Sequence, residues 1–262
     1  MASTPQAQAL PMFYKDLVPL NSKEHANWKA KGLDNASFMQ SQHAIPITSD
    51  EFINASRNYP IVFSVGENSV PLILMGLNEG VNIFMDDEGH FSELSSYVPA
   101  YVRRYPFMLA KLRPDADELS LCFDPTTDAI GDFKEGDPLF DKDQPSETTK
   151  NILNFCEQFE QAGQRTGQFV QELEKLDLLM DGEVSIQQVG VEKPFVYRGF
   201  RMVNEEKLRE MRGDELRKIN QNGMLPLIYA HLFSLHLMRE VFARQVDAGK
   251  MPQVTEAPSV QV

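Results

Sequence analysis

Cysteine is nearly absent: the 262-residue chain has two, Cys122 and Cys156. Each lies among apolar neighbours, in Leu121-Cys122-Phe123 and Phe155-Cys156. That context reads as small core residues and excludes a disulfide scaffold. Positive charge is scarce, with 25 Lys and Arg against 38 Asp and Glu, for a formal net charge of −13. Such a field repels a phosphate backbone, so nucleic acid and anionic membrane surfaces are poor partners. Long apolar runs are also missing. The longest, 224–238, contains two histidines and a serine. At ~1.5 Å per residue it falls short of a ~30 Å hydrocarbon core, so membrane insertion is not expected. The first residues, Met1-Ala-Ser-Thr-Pro5, have neither a basic region nor an apolar segment of the signal-peptide kind, so the expected location is cytoplasmic.

Familiar chemical signatures are absent as well. There is no Gly-rich phosphate loop, Gly-x-Gly-x-x-Gly, Cys-x-x-Cys, His-Glu-x-x-His or Gly-x-Ser-x-Gly. No His-x-Asp/Glu spacing points to a facial triad on iron. No metal or cofactor is expected from these patterns. A triad assembled from distant residues stays open, because sequence spacing does not reveal one.

What remains is ordinary globular composition, with 42% hydrophobic and 24% charged residues. The expected fold class is α+β. The first half alternates short apolar runs with turns. Thr48-Ser-Asp-Glu51 is a capping box that should open a short helix over 50–58. Ile61–Val65, Val70–Met75 and Val81–Met85 predict an antiparallel meander, and Leu119–Phe123 predicts a further strand. The segment 125–146 is rich in Asp, Gly, Pro and Lys and is expected to be a long loop, with Leu139-Phe140 plugging the core. It is also the place for a sub-boundary between two halves of one domain.

The second half predicts a helical layer with a second hairpin. Ile152, Phe155, Phe159, Ala162, Thr166, Phe169, Leu173 and Leu176 form a narrow helical seam. Glu183–Val189 and Phe195–Val203 read as a hairpin pair. Asn204 and Asp214 are expected to cap two short helices. A last helix opens near Pro226 and runs to about Gly249, and its start, 225–238, is apolar on nearly every face. It is expected to be central, buried and packed on the seam. Residues 1–12 and 248–262 are expected to be a flexible arm and tail around a single domain, 13–247.

Two constellations carry the functional question. In Tyr97-Val-Pro-Ala-Tyr-Val-Arg-Arg-Tyr-Pro-Phe107, prolines frame a short helix. Arg103 and Arg104 point about 100° apart, so both cannot face solvent equally. One reading holds a guanidinium among Tyr97, Tyr101 and Tyr105 as an anion or partner site. The other pairs it with one of the chain's own acids. In Tyr229-Ala-His-Leu-Phe-Ser234, His231 is either a general base beside Ser234 or Tyr229, or a neutral core histidine bonded to backbone. His236, five residues on, lies about 140° away, so the two do not make a metal-binding face. Asp141 and Asp143 alternate as in a calcium loop, but the sixth position is Ser146 and the twelfth Ile152, so the segment reads as a solvated acidic loop. His25 and Trp28 share a helix face, and either line a pocket or anchor a surface helix. His90 reads as solvated.

At Tyr97–Phe107 the chain resembles the bacterial SapC family. Pro19-Leu-Asn with His25, Tyr59–Phe63, Glu135–Phe140 and Gly223–Leu235 extend the likeness over roughly residues 13–245. The resemblance implies a protein named from a surface-layer locus, not the peptide-uptake permease of the same name. It implies no catalytic residues. It implies protein partners, with TonB-dependent receptors and hydroxylase- or halogenase-like proteins as neighbours. Two functions follow: a non-catalytic accessory or interaction protein of a surface-layer or envelope system, or an unrecognised enzyme or small-ligand binder with an arginine anion clamp. The missing signatures and the acidic charge favour the first.

Overall fold

The structure is a computed structural model that describes residues 10–32, 35–91, 97–113, 118–187 and 194–251. The expected arm through residue 9, the tail from 252 and the end of the expected strand at 188–189 lie outside the described residues. The chain divides into two compact units, Met1–Asp34 with Val102–Glu160 and Asn35–Tyr101 with Gln161–Val262. Antiparallel sheets dominate the first half and helices the second, so the fold is α+β.

In the first unit, strand Ser120–Phe123 sits between Val18–Pro19 and Phe107–Ala110, with Phe107 opposite Phe123. Alternation directs Phe107, Leu109 and Phe123 into a core with Ile130, Leu139 and Cys156. The segment 125–146, expected as loop, contains four two-residue strands. Lys29–Ala30 pairs with both Ile130–Gly131 and Asp137–Pro138, and Phe140–Asp141 turns back on Gln144–Pro145. The close approach needs a glycine: a Cβ on Gly136, at φ +124°, would stand 2.7 Å from the carbonyl oxygen of Ala30. Leu139 is fully buried, and Phe140 packs against the same cluster. Residues 21–28 form successive turns, not the regular helix expected around His25 and Trp28. Both cysteines belong to this unit and are free and buried.

The second unit is built on a five-stranded antiparallel sheet. Its order is Leu179–Asp181, Arg201–Val203, Ile61–Phe63, Pro71–Leu74, Ala44–Pro46. The expected hairpin of 61–65 with 70–75 forms, but the third strand of the meander does not. Residues 81–84 follow an irregular path because Asn82 turns inward. Its amide donates to Met39 O, and its Oδ1 accepts from the Phe84 amide. Ala44–Pro46 takes the edge position instead. The second expected hairpin divides in two. Val184–Ile186 pairs with Phe195–Tyr197, while Arg201–Val203 returns to Leu179–Asp181.

The capping box forms over Ser49–Glu51 and leads into helix Phe52–Ala55. Asn204 accepts from the Lys207 amide and caps Glu205–Arg209. Asp214 does not cap. It lies in the first turn of Gly213–Gln221, whose N-cap is Arg212. The last helix is broken into Met224–Ser234, a 3-10 turn Leu235–Leu237, and Met238–Asp247. The helical seam lies on Glu147–Lys175. Its Phe169 meets Phe52 and Phe63 at ring distances of 5.7 and 6.5 Å. Helix Met224–Ser234 packs on strands Ile61–Phe63 and Arg201–Val203, flanked by helices Phe52–Ala55 and Gly213–Gln221. Among the described residues, no helix is long and apolar enough to cross a membrane.

Candidate functional site

The sheet of the second unit has an interruption that His231 fills. Strands Ile61–Phe63 and Arg201–Val203 share one register pair, Arg201 with Phe63. At Ile61 the carbonyl and amide would otherwise face the interior unpaired, at a cost of about 1–3 kcal/mol each. The helix above supplies both partners. His231 Nδ1 lies 2.8 Å from Ile61 O, and Ser234 Oγ accepts the Ile61 amide at 2.9 Å. His231 Nε2 accepts the Val203 amide at 3.0 Å. Since the Val203 N–H donates, Nε2 has no proton, and Nδ1–H must be the donor to Ile61. The ring is therefore the neutral Nδ1–H tautomer, bridging two strands. Complete burial lowers its pKa to about 4, against a smaller upward pull from the bond to Ile61.

Ser234 closes the arrangement by donating to His231 O at 2.6 Å. Its hydroxyl contacts the histidine backbone, not the imidazole, so the two do not form a nucleophile–base pair. Tyr229 lies on the opposite face of the helix, 40% exposed and stacked on Phe233 at 5.6 Å. Tyr229, His231 and Ser234 thus share a helix but do not line one pocket.

The tyrosine–arginine segment is accounted for within each unit. In the second, the Tyr97 hydroxyl donates to Glu51 Oε1 at 2.9 Å, and Tyr97 O accepts from the Tyr59 hydroxyl. Glu51 Oε1 also accepts the Ala100 amide at 2.7 Å, while Oε2 accepts the Thr48 amide and hydroxyl. This buried carboxylate closes its own capping box and holds the start of helix Ala100–Arg104. Tyr101 is buried.

In the first unit, Arg104 is 5% exposed, with Nη1 3.3 Å from Glu160 Oε1 and its guanidinium 4.3 Å over the Phe159 ring. Arg103 is exposed and lies 5.2 Å over Phe155. Tyr105 meets Tyr14 edge-on at 5.4 Å. Its phenol is held above the usual range by burial and then by the nearby Asp124 charge. Asp124 is itself fully buried. It accepts from the Lys15 amide and from the amide and hydroxyl of Thr126. His25 accepts the Asn21 amide on Nδ1 and packs edge-on against Trp28 and Phe123.

Sequence reasoning missed three features. The second oxygen of Glu51 and the second oxygen of the buried Asp124 find partners far along the chain, Ala100 and Lys15, so no local spacing marks those bonds. The exposed pair Tyr229–Phe233 was hidden by the uniform apolarity of its helix. One metal-capable group exists among the described residues: Asp86, Glu88 and His90 on an exposed turn. His90 Nδ1 lies 3.4 Å from Asp86 Oδ2. The Asp86 carboxyl is held below its ordinary value foremost by the His90 amide. Two surface hollows of about 390 and 320 Å³ lie at the Gln144–Glu147 turn and beside Leu176–Leu178. Neither contains a candidate residue.

Fold and site together define an α+β protein in which His231, Ser234, Tyr97 and Arg104 are bonded to its own backbone or side chains. The SapC family model matches residues 20–241, and the chain belongs to the SapC family. No curated protein and no solved structure matches it.

Proposed function

We propose that this chain is a non-catalytic accessory protein of a surface-layer or envelope-associated system, acting in the cytoplasm through contact with another protein. One observation carries the reading. His231, the residue best suited to act as a base, has both ring nitrogens engaged by strand backbone and is held neutral. A working base needs a ring nitrogen facing substrate. The internal pairing of Arg104 with Glu160 supports the same reading, since an anion clamp is best served by an unneutralised guanidinium. Exposed aromatic surface at Tyr229 and Phe233 supplies contact area. Two free buried thiols accord with a reducing compartment. TonB-dependent receptors and hydroxylase- or halogenase-like proteins are the partner classes to examine.

The test is affinity purification of the tagged chain from its own cells, followed by mass spectrometry of bound protein and bound small molecules. Stoichiometric enrichment of one protein is expected. A tightly held small molecule without a protein partner would contradict the reading.

A further inference from the structure

In the second unit, exposed basic side chains are generally matched by acids. Arg165 pairs with Asp50, Arg198 with Glu183, Lys207 with Asp177, and Lys218 with Glu172. Arg57, Arg217, Arg239 and Lys250 are exposed and form no ion pair among the described residues. The three arginines lie on or beside helices around Met224–Ser234. Arg57 follows helix Phe52–Ala55, Arg217 lies on Gly213–Gln221, and Arg239 opens Met238–Asp247. The first two helices flank Met224–Ser234, and the third continues from it through one 3-10 turn.

Helix Met224–Ser234 and its two flanking helices also carry exposed apolar side chains, while Val65, Val70, Met180 and Met251 are exposed on other elements of the unit. Phe233 is 67% exposed and Tyr229 40%, one turn apart and stacked. Ile53 is 53% exposed, four residues before Arg57, and Leu216 is 37% exposed, beside Arg217. The aromatic pair is thus neighboured by an apolar residue and an arginine on or just beyond each flanking helix, on a chain of net charge −13. The apolar side chains leave water on contact, and guanidiniums at the rim take carboxylates in two-pronged hydrogen bonds.

We propose that this face binds a segment of another protein that presents apolar side chains flanked by carboxylates. The proposal rests on the accessory reading above and names the surface and the chemistry of its partner. A second copy fits worse: across a twofold axis the same arginines would meet. An anionic lipid surface would be repelled by the rest of the chain.

The experiment places a photoreactive benzoylphenylalanine at Phe233, and separately at Lys150 in the first unit, in the full-length chain in its own cells. Mass spectrometry then identifies the cross-linked segment. The expected product at 233 joins an apolar segment with Asp or Glu on both sides. Its yield should fall about tenfold when Arg57, Arg217 and Arg239 are all changed to Glu, as loss of roughly 1.4 kcal/mol of attraction implies. Unchanged melting temperatures confirm that the variants fold, and a triple Gln variant serves if the Glu set does not. Cross-links to lipid, to another copy, or to a segment indifferent to charge reversal would overturn the proposal. Protein cross-links at 150 with none at 233 would overturn this surface and leave the accessory role standing. No protein cross-link at either position, together with no partner on purification, would overturn both.

Discussion

Val203 donates its amide hydrogen to Nε2 of His231 at 3.0 Å, and that bond fixes which ring nitrogen can hold a proton. The other nitrogen is turned to Ile61 O. The imidazole thereby takes the place of sheet hydrogen bonds between two strands that pair directly at one position. A group often read as catalytic is here part of the ladder. The same holds for Ser234 and Glu51, whose acceptor atoms meet backbone amides.

Acid should weaken the second unit through His231. Its folded pKa, about 4, lies below the ordinary 6.5, so the unfolded state binds the proton more readily. The stabilisation is fully present above pH 6.5 and is lost as pH falls towards 4. The full shift corresponds to about 3 kcal/mol. Urea denaturation at pH 7 and pH 4.5 should show the fall, and His231→Gln should flatten it.

Glu51→Gln should destabilise by about 2–3 kcal/mol, because one carboxylate oxygen that accepts hydrogen bonds becomes an amide that donates. Either orientation sets an NH2 group against donors, either Thr48 or Tyr97 with Ala100. Denaturation midpoints at constant slope measure the loss. An unchanged midpoint would show that the network does not contribute.

Adjacent arginines should behave differently. Arg104→Ala should cost about 2–3 kcal/mol through lost burial against Phe159 and the lost pair with Glu160. Arg103→Ala, on an exposed side chain, should stay within about 0.5 kcal/mol. Equal losses would contradict the placement of the two side chains.

Phe233→Ser should leave the melting temperature nearly unchanged, within about 0.5 kcal/mol, because the ring is two-thirds exposed. Phe63→Ala, beneath the same helix and fully buried, should cost about 3–5 kcal/mol. Thermal scans of the two variants separate a surface role for Phe233 from a core one.

Local patterns were legible in the sequence and distant pairings were not. Thr48 and Glu51 lie three residues apart, so their capping box could be read directly. The bond from Glu51 to Ala100 spans 49 residues and leaves no local mark. The angle between Arg103 and Arg104 showed that both would not face solvent equally, but not which would turn inward. The helix over 224–234 misled because apolar residues on every side give no period from which to choose a face. Its outward stripe was therefore read as core. Val81–Met85 has strand composition, yet the inward bonds of Asn82 prevent a ladder.

The most direct test of the central claim, that His231 serves the fold and not a reaction, is a long-range nitrogen–proton NMR spectrum of its ring from pH 7 to pH 5. The account predicts a protonated Nδ1 and a bare Nε2, with shifts constant over that range. A ring that exchanges between tautomers, or titrates near 6.5, would contradict it.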